Sequence, residues 1–336
     1  MKILSVVVPC YNSADYMKNC IESLIVGGDK IEIIIVDDGS TDKTAFIADG
    51  YAEKYPDIVK VIHQENGGHG EGINAGLKIA TGKFFKVVDS DDKLSEEFPL
   101  FLEKLEGGAK DAELVVTNYV YAYQSGKKDN PVRYANAFKR DKPFCWNDMR
   151  KFRLKQFLMV HACTFRTELA KKYGGELPKH VFYEDNLFVG KILPHVTTLY
   201  YCDLNLYRYT IGREGQSVSE AVFVNKYKYQ ILVNELWFDA IDLNAVREKS
   251  ERLYGLIMQE MLILFGGACV YALKSDDEKA RENIENMWEK AFLHDEKNAK
   301  KLRYAFIMRF LNVKGNAGRK LAVAIYDLAR KIVQFN

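Results

Sequence analysis

Short apolar runs alternate with helix-like stretches through the first hundred or so residues, and this alternation constrains the fold more than any other feature. The runs are Ile3–Val8, Ile31–Val36, Ile58–Ile62, Phe84–Val88 and, just beyond, Glu113–Thr117. The first is continuously apolar apart from Ser5, as in a parallel strand covered on both faces. Between runs the spacing changes. Tyr16, Cys20 and Leu24, with Met17 and Ile21, recur at helical intervals, and Asn12-Ser13 supplies N-cap chemistry ahead of them. Thr41-Asp42 can cap a helix carrying Ala45, Phe46 and Ile47, and a glycine-rich turn, NGGHGEG, leads into another helix through Ile79. Strand and helix in this order predict an α/β, doubly wound and mostly parallel sheet with right-handed crossovers.

From about Val120 to Tyr209 the pattern is mixed and rich in Tyr and Phe, and after about Val218 it is mostly helical. A boundary near residue 215 divides a catalytic-type domain, 1–215, from a helical C-terminal region, 216–336. The most apolar long stretch, Leu253–Leu273, is broken by Gln259, Glu260 and Gly266-Gly267, and reads as a buried helix rather than a membrane span. Lys plus Arg number 48 against 46 Asp plus Glu, so no global charge draws the chain to nucleic acid. The six cysteines (Cys10, Cys20, Cys145, Cys163, Cys202 and Cys269) form no CxxC pair or zinc-ligand spacing. They read as reduced thiols of a cytoplasmic protein. The N-terminus is too short and too quickly polar for a signal peptide.

Ligands of open α/β sheets bind outside the carboxyl ends of the strands. Here the polar residues fall at those ends: Pro9-Cys10-Tyr11-Asn12, Asp37-Asp38-Gly39-Ser40, Asn66-Gly67-Gly68-His69-Gly70 and Asp89-Ser90-Asp91-Asp92. Three carboxylates within four residues repel one another, and burial raises their pKa values further. Such a stretch is either a solvated capping turn or a place for a cation. Four polar stretches on one sheet edge form the rim of a site.

Taken together, SVVVPCYNSADYMKNCIESL, IIIVDDGSTD, ENGGHGEGINAGLKIATGKFFKVVDSDD and, much later, VFYEDNLF resemble the family-2 glycosyltransferases, over roughly residues 1–210. The resemblance implies the GT-A nucleotide-sugar-binding fold and metal-dependent, inverting sugar transfer. Tyr11 and Asp38 would then hold the nucleotide base, with Pro9, Asn66, Gly68 and Asp89 around the nucleotide. Asp91 would bind a divalent cation, Mn or Mg, with Asp89 touching the ribose or the water of the metal. Asp185 would take the proton of the acceptor hydroxyl, and Glu184 would orient acceptor or backbone. The donor would be a UDP-sugar and the acceptor a glycan or lipid-linked sugar.

Four further residues are candidates for sugar, acceptor or phosphate contact: His69 in the glycine-rich turn, His161 ahead of the acidic motif, and Arg208 and Arg213 in YRYTIGREGQSVS. One departure stands out. Many family members carry an arginine just before the asparagine matching Asn74, and here that position is Ile73. A nucleotidyltransferase would be expected to show a glycine-rich phosphate loop with a basic residue near the N-terminus, and a dehydrogenase GxGxxG, but strand one ends in PCYN. A non-catalytic scaffold would be favoured by loss of Asp91 or Asp185, and both are present.

From Lys297 onward ten Lys and Arg accompany a single acidic residue, Asp327, and Leu321, Ile325, Leu328 and Ile332 sit at helical spacing. A basic amphipathic helix suits an anionic membrane surface. Peripheral contact with the inner face of the plasma membrane is the expectation, against a helix packed on the catalytic domain. The helical C-terminal part could also pair two copies as a homodimer.

Overall fold

The computed structural model describes residues 2–153, 156–212, 219–311 and 323–324. They belong to two compact units, Met1–Phe152 with Leu158–Arg213, and Arg153–Phe157 with Glu214–Asn336.

The first unit alternates β1 (Leu4–Cys10), α1 (Met17–Ile25), β2 (Ile31–Asp37), α2 (Thr44–Lys54), β3 (Val59–His63), α3 (His69–Ile79) and β4 (Phe84–Val87). There follow β5 (Lys93–Leu94), α4 (Phe98–Glu106), β6 (Leu114–Tyr123), and short strands β7 (Asn130–Val132), β8 (Pro143–Phe144) and β9 (Cys163–Arg166). A single turn α5 (Thr167–Leu169), helix α6 (Glu184–Ile192) and long strand β10 (Leu199–Ile211) complete it. The sheet order is β3-β2-β1-β4-β9-β6-β10-β5, with β7 on β6 and β8 on β10. Strands β3, β2, β1 and β4 are mutually parallel, and so are β6 and β10. Strand β9 lies antiparallel between β4 and β6, so β6 and β10 run the same way as β4. The carboxyl ends of six strands therefore share one edge.

Every residue of β1 and β2 is buried, including Glu32 near the start of β2. Its carboxylate accepts from Ser5 Oγ (2.5 Å), Thr81 N (2.5 Å), Gly82 N (3.1 Å) and Lys60 Nζ (2.6 Å). Burial alone would raise its pKa, but these partners hold it down at about 2.

Local expectations needed two corrections. Asn12 and Ser13 do not cap α1, which begins only at Met17 with no side-chain cap. Asn12 takes a left-handed backbone (φ 49°), and its Oδ1 accepts from Thr41 N (2.9 Å), tying the end of β1 to the end of β2. The fifth strand runs on to Tyr123 because its neighbour β10 pairs with it as far as Ile211.

The second unit contains α7 (Glu220–Asn225), α8 (Tyr227–Ala240), α9 (Leu243–Lys249), α10 (Glu251–Lys274), α11 (Ala280–Arg303) and α12 (Phe306–Leu311). By length and composition α10 is apolar enough to cross a membrane. Here it is a core helix, with Leu253, Ile257, Met261 and Phe265 buried. Phe265 sits 6.0 Å from Phe238 of α8 and 5.2 Å from Trp288 of α11, ring centre to ring centre. Ser250 Oγ caps α10 by accepting from Leu253 N (3.2 Å). The amphipathic stretch expected near the C-terminus lies outside the described residues from 312 onward, except Val323 and Ala324.

Candidate active site

Register decides which side chains meet at the shared edge. Cys10 is level with Asp37 across β1 and β2, and Val7 is level with Val87 across β1 and β4. Strands one, two and four thus release their polar ends, at Tyr11, Asp38 and Asp89, side by side. Tyr11 stands on the rim, 52% exposed, as a ring available for stacking.

Asp38 is 3% exposed and faces the glycine-rich turn. Its Oδ1 accepts from Gly67 N (2.8 Å) and Gln64 Nε2 (2.7 Å), and its Oδ2 accepts from Gly68 N (2.8 Å). Asn66 Nδ2 donates to the Asp38 carbonyl (2.9 Å). Asp38, Asn66 and Gly68 are thus brought together, as one clamp that fixes the loop before α3. Gly68 has φ 86°, and a Cβ there would stand 2.9 Å from His180 N, so no other residue fits without strain.

At the end of β4, Asp89 is half-buried and Asp92 fully buried. Asp92 accepts from Tyr207 Oη (2.7 Å) and Thr210 N (2.7 Å), both on β10. Burial, then the charges of Asp89 and Asp91, push its carboxyl well above the usual carboxylate range. Asp89 differs. Burial would raise it too, but the hydrogen bond and charge of His69 hold it below its ordinary value.

Helix α6 brings the second acidic pair. Tyr183, just before it, is left-handed at φ 72°, an unusual state for a bulky residue and one that clusters at functional sites. Glu184 is 3% exposed, and its Oε1 lies 2.6 Å from His69 Nδ1. The other ring nitrogen, Nε2, lies 2.9 Å from Asp89 Oδ1. Burial would depress the His69 pKa, but Asp89 and Glu184 together raise it well above the ordinary histidine value. Asp185 is half-buried, and its Oδ1 accepts from Asn186 Nδ2 (3.1 Å). Burial and the charge of Glu184 push its carboxyl up to about 7, with His69 pulling the other way. A carboxylate tuned close to neutrality suits proton transfer at physiological pH.

The remaining candidates are placed differently. His161 precedes β9, is 3% exposed, and stacks on Tyr207 at 4.6 Å; burial lowers its pKa to about 4, so the ring is neutral. Arg208 pairs with Asp129 at 2.5 Å. Arg213 lies outside the described residues. Ile73, at the position where many similar proteins carry arginine, is fully buried on α3. Two contributors escaped the sequence reading. Gln64 and Lys86 are polar residues in or beside strands, and nothing local marks them. Lys86 is buried and donates to the carbonyls of His161 (2.7 Å) and Cys163 (3.2 Å); burial lowers its pKa to about 8.

Residues 5–174 match the family model described as glycosyl transferase family 2. The putative glycosyltransferase EpsH of Bacillus subtilis (strain 168) is 31% identical over 224 residues, 62% of this chain and 60% of that protein. The minor teichoic acid biosynthesis protein GgaA of the same organism is 26% identical over 241 residues, 70% of this chain and 53% of that protein. The matched segment spans 32%, 39% and 60% of the length of three curated relatives. The crystal structure of S. aureus TarS 1-349 in complex with UDP-GlcNAc superposes with TM-score 0.70 at 21% identity, covering 98% of this chain and 92% of that one. The fold expectation, a GT-A sheet with a helical C-terminal region, agrees with that likeness.

Proposed function

Because the chain belongs to glycosyl transferase family 2, we propose that it moves a sugar from a nucleotide-sugar to a hydroxyl of a glycan or lipid-linked acceptor, with inversion. The observation that carries this reading is the meeting, at the carboxyl ends of the strands, of the Asp38 loop clamp and the Asp89–Asp92 turn, to which His69 joins Glu184 of α6, the residue before Asp185. UDP is the preferred nucleotide. Tyr11 offers the base a flat face, and Asp38 has acceptor capacity beside its three loop bonds. The UDP-GlcNAc bound by TarS is of the same class.

The residues fit a divalent cation. Among the described residues no group of three or more His, Cys, Asp or Glu could hold a metal alone. Mg²⁺ and Mn²⁺ commonly take one or two carboxylates and complete their shell with water and substrate phosphate. Asp91 and Asp89 supply such a pair, and Asp92 shows how much negative charge gathers there. Bound at these residues, the cation would offset charge developing on the leaving diphosphate.

The chain's own groups do the rest. Asp185 accepts the proton of the acceptor hydroxyl as that oxygen bonds to the anomeric carbon. The bond from that carbon to the diphosphate oxygen breaks, and its electron pair leaves with the diphosphate. Asp38 keeps the glycine loop closed against the nucleotide. Work at a bacterial cell envelope, from the cytoplasmic face, is the setting we propose, by analogy with the teichoic acid protein GgaA.

UDP release from a panel of UDP-sugars with Mn²⁺ or Mg²⁺ tests this, with Asp91→Ala and Asp185→Asn beside wild type. Slow hydrolysis of the donor needs no acceptor. Release from one sugar, abolished by EDTA and by Asp91→Ala, is the expected result. No release from any donor, with no UDP binding by calorimetry, would refute it.

A further inference from the structure

His69 opens α3, and both of its ring nitrogens end on carboxylates, Asp89 at 2.9 Å and Glu184 at 2.6 Å. Ionised carboxylates only accept hydrogen bonds, so both nitrogens donate and the ring is an imidazolium. It therefore has no lone pair with which to act as a base. Resting on the reading of Asp89 as donor-side and Asp185 as base, we propose that His69 is a positioning residue, joining the carboxylate at the end of β4 to the helix that presents the base.

Three observations converge on this. The bridge spans three elements, whose residues lie 20 and 115 positions apart in the chain. Its close approach is built in, because a Cβ on Gly70 would stand 2.7 Å from Glu184 Cγ. A side chain at position 70 would crowd the Glu184 side chain that reaches the ring. Lastly, the charges around Asp185 are unevenly signed. Glu184 and Asp89 disfavour its ionisation, and His69 favours it. Nearby Lys86 directs its ammonium to backbone carbonyls instead. Removing the imidazolium would leave Glu184 buried without its cation, one residue from the base.

A double-mutant cycle with the full chain tests the bridge: wild type, His69→Gln, Glu184→Gln and the double variant. The readouts are thermal unfolding, donor KM and kcat for UDP release, and the pH dependence of kcat/KM. For His69→Gln the acid limb should rise by about one pH unit, the size expected for loss of one neighbouring charge. Its kcat at neutral pH should fall about fivefold, with donor KM changing much less. In the double variant, which loses one charge of each sign, the limb should return close to wild type. His69→Lys keeps a positive charge and should hold the limb near wild type even if His69→Gln folds poorly. The Tm losses of the singles should sum to more than that of the double. An unmoved limb in His69→Gln, or additive Tm losses, would overturn the proposal. If wild type releases UDP from no donor, the functional reading fails, and the thermal cycle alone decides whether the bridge exists.

Discussion

We expect Asp185→Asn to lose activity and gain stability together, and the same shift sets both. The carboxyl is raised from 3.8 to about 7, first by burial and then by Glu184. That difference, about 3 pH units at 1.36 kcal/mol each, is about 4 kcal/mol between the two protonation states. For activity, the proposed mechanism makes the ionised form the base. It makes up about a tenth of the enzyme at pH 6 and about nine-tenths at pH 8, so wild-type kcat/KM should rise about ninefold between them. Asparagine cannot accept the proton, and the loss should be about 10²–10⁴-fold at pH 8. For stability the sign runs the other way. The folded pKa lies above the unfolded one, so the folded state binds the proton more tightly. The contribution is fully present below about pH 4 and is lost as pH rises through about 7. Asparagine stays neutral throughout. The variant should therefore exceed wild type by up to about 4 kcal/mol at pH 8 and by about 2 kcal/mol at pH 5, less where water reaches the carboxylate. UDP release across the pH range and urea unfolding at both pH values measure the two effects. An acid limb near pH 4, with no stability gain at pH 8, would refute the reasoning.

Three other outcomes are expected. Glu32, held at about 2 against 4.5, contributes about 3 kcal/mol that is present above about pH 4.5 and lost as pH falls towards 2. Glu32→Gln should lose most of it in urea unfolding at pH 7 and little near pH 2. Ile73→Arg, which places the residue common in similar proteins into a position with 0% exposure, should destabilise by about 3 kcal/mol or more; a normally folded variant with tighter UDP binding by calorimetry would contradict this. UDP affinity should fall at least about a hundredfold when EDTA replaces Mg²⁺, since a diphosphate near Asp89 and Asp91 meets about 3 kcal/mol of repulsion per charge pair at about 5 Å. Equal affinities in the two titrations would argue against a cation.

Much of the first unit was legible because its signals are local. A buried parallel strand announces itself by a continuous apolar run, and β1, β2 and β4 fall within a residue or two of where their runs lie. Polar residues at four successive strand ends then marked the edge of the site. Strands β9 and β10 were not legible. Cys163–Arg166 is four residues long, and its pairing with β4 and β6 depends on chain some 50 to 80 positions away. The roles of the site residues were least legible of all. His69 stands among glycines that allow close backbone approach, which makes it a candidate contact for sugar or phosphate. Its ring also meets Asp89 and a residue 115 positions on. No periodicity or spacing encodes a partner at that separation.

The acidic residues gathered around this site pose a physical problem, and the structure answers it carboxylate by carboxylate. Asp38 is met by backbone N–H groups of the glycine loop. Asp89 and Glu184 share one imidazolium. Asp92 is met by a tyrosine hydroxyl and a backbone N–H, and its pKa is driven upward. Asp185 is poised near neutrality. Each solution uses a group that the fold must deliver from elsewhere in the chain, so the cluster is stable only once the sheet has assembled. On the proposed function a nucleotide-sugar would bring a diphosphate to this edge, where its negative charge adds to that of the carboxylates while His69 already has a carboxylate on each nitrogen. A divalent cation held by the half-buried Asp89 and Asp91 would offset that charge.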